Sequence, residues 1–258
     1  MFAIYKKEMR SYFINPIGYV YLGIFLAISA FVCCFTTLKA NSYSTSTYFT
    51  FLIFALAILI PLLTMRSFAE EKKMRTEQML LTAPVTITGM VMGKYLAAFT
   101  MFLSTVLLSC ANFIPLYIIA GEERAVVADT AAPTIGPETA KIIGSLIGII
   151  LLGAAFIAIG IFISSLTESQ LSAAVITIGV ILLMLILSLI NGIGSDEAGT
   201  RLISNFVVRQ VIDWISVLSR FEKFGYGIFD FSALIYYVSI SFVCIFLTVR
   251  VYEKRRWG

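Results

Sequence analysis

Charged residues cluster along this chain, and long apolar runs separate the clusters. Ile17–Leu38 continues for 22 residues without a charge and Tyr48–Met65 for 18. Tyr95–Ala120 continues for 26, with Pro115 near its far end. Ile142–Leu166 continues for 25, Leu171–Ile190 for 20 and Phe231–Val249 for 19. A helix needs about 20 apolar residues to cross the hydrocarbon of a bilayer. Six membrane-spanning helices are therefore predicted, at 17–38, 48–65, 95–120, 142–166, 171–190 and 231–249. The alternating ten-residue segments of a membrane β-barrel are missing. The expected fold is an all-α membrane protein, with one transmembrane domain over 1–258. The first apolar run is too long for a signal peptide, whose apolar region has about 7–15 residues. It is read as a retained helix, although Ala40-Asn41-Ser42 has the small residues of a cleavage site.

Three segments between the spans have patterns of their own. In residues 1–13, Phe2, Tyr5, Met9, Tyr12 and Phe13 recur at helical spacing, with Lys6, Lys7 and Arg10 to one side. That pattern predicts an interfacial helix in the headgroup plane, broken by Asn15-Pro16 before the first span. It either anchors topology or takes a mechanical part in gating. Arg66–Lys94 opens on Glu70-Glu71-Lys72-Lys73, Arg75 and Glu77, and reaches Met79-Leu80-Leu81 before Thr82-Ala83-Pro84. A helix through Leu81 is expected, stopped before Pro84, with a Thr88-Gly89 turn ahead of the third span. An apolar run beside a charged cluster suits docking to a partner; the alternative is a solvated connector. In 191–230, Phe206, Val207, Val211, Ile212, Ile215 and Leu218 recur at helical spacing among Arg209, Asp213 and Arg220. These charges argue against a seventh span. Either a re-entrant helical hairpin in the outer leaflet or a surface helix fits.

Composition narrows the function classes. Apolar residues make up 59% of the 258 and charged residues 13%, which is beyond what one soluble core can hide. No histidine is present, so His-based metal sites and His-activated nucleophiles are excluded. Cys33, Cys34, Cys110 and Cys244 all lie in apolar runs, unlike a disulfide scaffold. The side holding both termini carries twelve Lys and Arg against seven on the other, which places both termini in the cytoplasm. This asymmetry accounts for the +4 net charge without a nucleic-acid partner.

Phe68-Ala69-Glu70-Glu71-Lys72, Arg75-Thr76-Glu77-Gln78-Met79-Leu80-Leu81-Thr82-Ala83-Pro84-Val85 and Gly93-Lys94-Tyr95 resemble the cytoplasmic motif of type-2 ABC exporter permeases. They are particularly similar to the gliding-motility-type branch of that family. Trp214-Ile215-Ser216, Phe221-Glu222-Lys223-Phe224, Gly227, Asp230 and the closing Glu253-Lys254-Arg255-Arg256-Trp257 extend the likeness. Arg75-Thr76 stands where Gly-Thr is common in that pattern, and Gln78-Met79 replaces two aliphatics. The resemblance implies a permease subunit of an ATP-driven transporter in the bacterial inner membrane. A coupling helix would join the second and third spans, and re-entrant helices would precede the last. The partners implied are a cytoplasmic ABC ATPase, holding ATP and Mg, a second permease chain and further accessory subunits. Contact with the ATPase would fall on Glu70, Glu71, Lys72, Arg75, Thr76, Glu77, Met79, Leu80, Leu81 and Pro84.

The chain's own chemistry is spare. Gly89-Met90-Val91-Met92-Gly93-Lys94 is one residue short of a phosphate-binding loop, and no Ser or Thr follows its lysine. No catalytic, metal or cofactor residue is assigned, and ATP hydrolysis is expected in a separate subunit. The six predicted spans hold no Asp, Glu, Lys or Arg, which argues against an ion-coupled carrier and an intramembrane enzyme. Lipidic, peptidic or large amphipathic cargo suits such walls better than a small ion. The rival readings are a membrane scaffold and a passive channel. Gly144 and Gly148 supply small-x-x-x-small spacing for close helix packing, within the chain or between protomers.

Overall fold

In a computed structural model, the residues described are 1–38, 43, 45–75, 86–126, 136–193, 210 and 216–257. Among them the chain is all-helical. The elements are α1 (Phe2–Ile14), α2 (Pro16–Cys33), α3 (Ser46–Thr64), α4 (Arg66–Lys73) and α5 (Ile87–Ser109). They continue with α6 (Phe113–Val126), α7 (Thr139–Leu166), α8 (Gln170–Ile193), α9 (Leu218–Gly225) and α10 (Phe231–Trp257). A π-helical turn, Cys34–Leu38, ends α2, and a 3-10 turn, Cys110–Asn112, joins α5 to α6. Among the described residues, six helical stretches are long and apolar enough to span a membrane. They are Pro16–Thr37, Ser46–Lys73, Ile87–Gly121, Thr139–Leu166, Gln170–Leu189 and Phe231–Arg256.

The core lies on α3 and α7, the two most buried of these helices. α7 touches α3, α4, α5, α8, α9 and α10. Small residues let its neighbours approach. A Cβ on Gly153 would strike the Phe102 ring of α5, and one on Gly160 would strike Thr64 of α3. Lipid-facing surface remains on α2, α5, α8 and α10, where Ile24, Leu107, Val175 and Phe242 are exposed.

Two boundaries correct the sequence reading. The third spanning helix begins at Ile87 rather than 95, so Thr88-Gly89 forms no turn and Lys94 lies inside a helix. Thr86, extended at the N-cap, starts that helix earlier than its hydropathy suggests. The helix expected through Leu81 ends at Lys73, where Arg75 adopts a left-handed conformation (φ 54°). That geometry cannot continue a right-handed helix. Residues 76–85 lie outside the described residues, with Thr76, Glu77, Met79, Leu80, Leu81 and Pro84 among them.

Candidate functional site

One end of the bundle gathers α1, α4, the start of α5 and the ends of α7 and α10. Its organiser is α4, a two-turn helix following α3 after the single residue Met65. Phe68 and Ala69 bury the apolar face of α4. Along the helix, Arg66 grips Glu70 with two hydrogen bonds, Nε to Oε2 at 2.7 Å and Nη2 to Oε1 at 2.8 Å.

A helix start leaves backbone N–H groups without partners, and a helix end leaves carbonyls. α4 and α7 satisfy each other's. The amides of Phe68 and Ala69 donate to Ser164 Oγ of α7 at 3.1 and 3.2 Å. That hydroxyl in turn donates to the Met65 carbonyl at 3.3 Å. In the opposite direction, Lys72 Nζ donates to the Ser165 carbonyl and, at 3.2 Å, to that of Thr167. The lysine charge also suits the negative end of the α7 dipole.

Lys94 completes the site. Only 2% of its surface is exposed, yet its ammonium meets three oxygens. These are the Ser67 carbonyl at 2.6 Å, Glu71 Oε1 at 2.9 Å and Glu8 Oε1 of α1 at 3.0 Å. Lys7 adds a second cation 3.6 Å from Glu71. The Lys94 ammonium also lies 4.9 Å from the Phe68 ring centre, and Phe68 packs on Tyr252 of α10 with centroids 4.7 Å apart. One buried cation thus ties α1, α4 and α5 together, and its aromatic neighbour reaches α10. A buried charge is tolerable only when paired and hydrogen-bonded in this way.

The N-terminal helix reaches the site by packing inward. Tyr5 donates to Thr100 Oγ1 of α5 at 3.4 Å, Met9 Sδ accepts from the same hydroxyl at 3.1 Å, and Tyr12 donates to the Leu63 carbonyl at 3.5 Å. Burial, with Glu8 nearby, pushes the Tyr12 phenol well above its usual range, so it stays a donor. Phe2 is exposed. The stripe of the expected interfacial helix thus turns three of its residues onto neighbouring helices. Gly93 permits this approach: a Cβ there would sit 3.2 Å from the Met1 carbonyl and from Ile4.

The opposite end is built around α9. The amides of Val217 and Leu218 donate to Ser188 Oγ of α8 at 3.1 and 3.3 Å. Tyr237 donates to the Val217 carbonyl at 2.9 Å. Leu218, Phe221 and Phe224 are buried. Gly144 and Gly148 both face α9 within the chain, with Phe224 and the Phe221 ring where their Cβ atoms would stand. Val207, Val211 and Ile215 lie outside the described residues. Lys223, in the last turn of α9, binds Asp230 at 2.7 Å, and this contact holds the Asp230 carboxyl below its ordinary range.

Sequence reasoning placed Glu70, Glu71, Lys72 and Arg75 in one segment but saw neither their internal partners nor the roles of Glu8, Ser164 and Ser188. Ser164-Ser165 at the end of an apolar run was the available signal for a cap. No metal-binding cluster of acidic or cysteine side chains occurs among the described residues. Residues 35–250 match the family model described as ABC-2 family transporter protein. No curated protein matches the chain.

Proposed function

The chain belongs to the ABC-2 transporter family as a multi-pass transmembrane permease subunit, and we propose that it exports its substrate by coupling α4 and residues 76–85 to a cytoplasmic ATPase. The observation supporting this reading is the pinning of α4. The helix leading into 76–85 is tied to α1 and α5 through Lys94, and to α7 through Ser164 and Lys72. A displacement of that segment cannot stay local; it is passed to three helices at once, α1, α5 and α7.

In this mechanism the ATPase holds ATP and Mg, and the permease contributes no catalytic group. Nucleotide-driven closure of the ATPase pushes on 76–85, where Met79, Leu80 and Leu81 are the apolar anchors. Two permease chains then move relative to one another and open a path for cargo. The Lys-rich end faces the cytoplasm of a bacterial cell, with the membrane as its inner membrane, and α9 belongs to a re-entrant element at the outer face. The order of the sequence motifs supports membership of the gliding-motility-type branch.

The test is a pull-down with the P-loop ATPase that this reading expects to be encoded beside this chain. Leu80→Asp with Leu81→Asp is expected to weaken association by about one to three decades, since burying an unpaired charge costs roughly 2–5 kcal/mol. Membrane insertion should be unchanged. Undiminished association with normal ATP-dependent activity would make the segment a connector and remove the mechanism.

A further inference from the structure

On the lipid-facing side of the bundle, α5 and α10 diverge and leave a groove of about 550 Å³ with α7 as its floor. Its walls include Tyr95 of α5, Ala154 of α7, and Ser241 and Phe242 of α10. The Tyr95, Ser241 and Tyr237 hydroxyls along these walls are satisfied internally. Tyr95 donates to the Ala154 carbonyl at 3.4 Å, and Ser241 donates to the Tyr237 carbonyl at 2.9 Å. The groove therefore offers apolar surface along its length. Charge enters at one end only, where Arg250 and Glu253 are the charged residues among those lining it. They pair at 2.8 Å, and the guanidinium stacks 5.0 Å from the Phe246 ring centre.

From Tyr237 to Arg250 the groove follows α10 for about 20 Å at 1.5 Å per residue. Half of a hydrocarbon core of about 30 Å is somewhat shorter than that. The dimensions match one leaflet, with the charged mouth at the end where Tyr252 meets Phe68. An apolar slot one leaflet deep with polarity at one end fits an amphiphile of that leaflet. The mouth presents one cation and one anion side by side. A headgroup with a single negative charge would meet Glu253 as well as Arg250, whereas a phosphate-plus-ammonium headgroup complements both.

We propose that this groove binds one zwitterionic aminophospholipid, its phosphate on Arg250, its ammonium on Glu253 and an acyl chain between α5 and α10. The lipid fills the gap beside the first turns of α5, the helix that follows 76–85.

The experiment is native mass spectrometry of the full-length permease titrated with an equimolar mixture of phosphatidylethanolamine and phosphatidylglycerol. One phosphatidylethanolamine should be retained per chain, with a preference of about tenfold over phosphatidylglycerol. Glu253→Gln should erase the preference, and Arg250→Gln should lower retention of both lipids. Ala154→Leu should lower retention by filling the floor, without changing the ratio. All three variants leave the Lys94 site untouched, and a monodisperse elution profile checks their folding. Preferential retention of phosphatidylglycerol, retention indifferent to Ala154→Leu, or no lipid retained would each overturn the proposal.

Discussion

Two short helices, α4 and α9, sit at opposite ends of the bundle and begin alike. Each starts under a serine hydroxyl of a long neighbouring helix, which accepts two consecutive backbone N–H groups: Ser164 for α4 and Ser188 for α9. Each is followed by a residue with positive φ, Arg75 after α4 and Gly227 after α9. Beyond that they diverge. α9 rests against α7, with the Phe221 ring on Gly148 and the Phe224 carbonyl on Gly144, and among the described residues its ion pair, Lys223–Asp230, lies at the surface. α4 is held by charge, through Lys94 and Lys72, in contacts to three other helices. Apolar packing depends on shape and moves as a block. A buried ion pair depends on partners contributed by separate elements, so breaking one contact leaves an uncompensated charge and forces the others to respond. The end proposed to receive an ATP-driven push is built the second way.

Removing the latch should produce the largest effect. Lys94→Met leaves Glu8 and Glu71 without their buried partner, a loss of roughly 3–5 kcal/mol by the usual penalty for breaking a buried pair. Thermal unfolding of the purified permease, compared with an Arg250→Gln control, measures it. Lys94→Met together with Glu8→Gln and Glu71→Gln should recover part of the loss, because the two carboxylates that Lys94 neutralised are then gone.

The serine caps test the shared device. Ser164→Ala and Ser188→Ala each strand two backbone N–H groups, with an expected cost of about 1–3 kcal/mol apiece. Hydrogen exchange should show each loss locally, in α4 for the first and α9 for the second. A much larger effect at Ser164 would mean that cap and charge latch act as one unit.

The helix ends differ by a smaller amount. Arg75 occupies a left-handed conformation that glycine adopts freely, so Arg75→Gly should stabilise the α4 end by up to about 1 kcal/mol. The same measurement at Gly227, which already holds glycine, should find only losses: Gly227→Ala meets both the positive φ and the nearby Ala140 backbone.

The smallest effect belongs to the surface pair. The Asp230 carboxyl is held below its ordinary range by Lys223 and by the Ser232 amide. A depressed carboxyl contributes stability above its unfolded pKa and loses it as pH falls through the folded one. Local exchange near α9 should therefore quicken on acidification in the native chain, and Asp230→Asn should remove that dependence.

The helices were legible because lipid demands a run of fixed length, and runs such as Ile142–Leu166 carry little else. Lys94 was misplaced for the same reason. A charge ended the apolar run on paper, but in space Glu8 and Glu71 neutralise it from 86 and 23 residues away. No local pattern encodes that meeting. Glu70, Glu71 and Lys72 stood out as a charged cluster, but their internal use depends on α1 and α7 arriving from distant sequence. Ser164 and Ser188 were invisible because a serine in an apolar helix has the same local signature whether it caps a neighbour or bonds its own preceding turn. The glycines of α7 showed that something packs closely there; only the fold identified α9, α5 and α3 as the partners.

The central claim is that the Lys94 latch transmits ATPase motion into the bundle. The most direct measurement is ATP hydrolysis by the reconstituted permease–ATPase complex in proteoliposomes, with wild-type chain and with Lys94→Met, alongside a pull-down confirming that the complex forms. The account predicts intact association and a fall of about tenfold or more in permease-stimulated hydrolysis, equivalent to about 1.4 kcal/mol of lost coupling. Association and stimulated hydrolysis both at wild-type levels in Lys94→Met would contradict it.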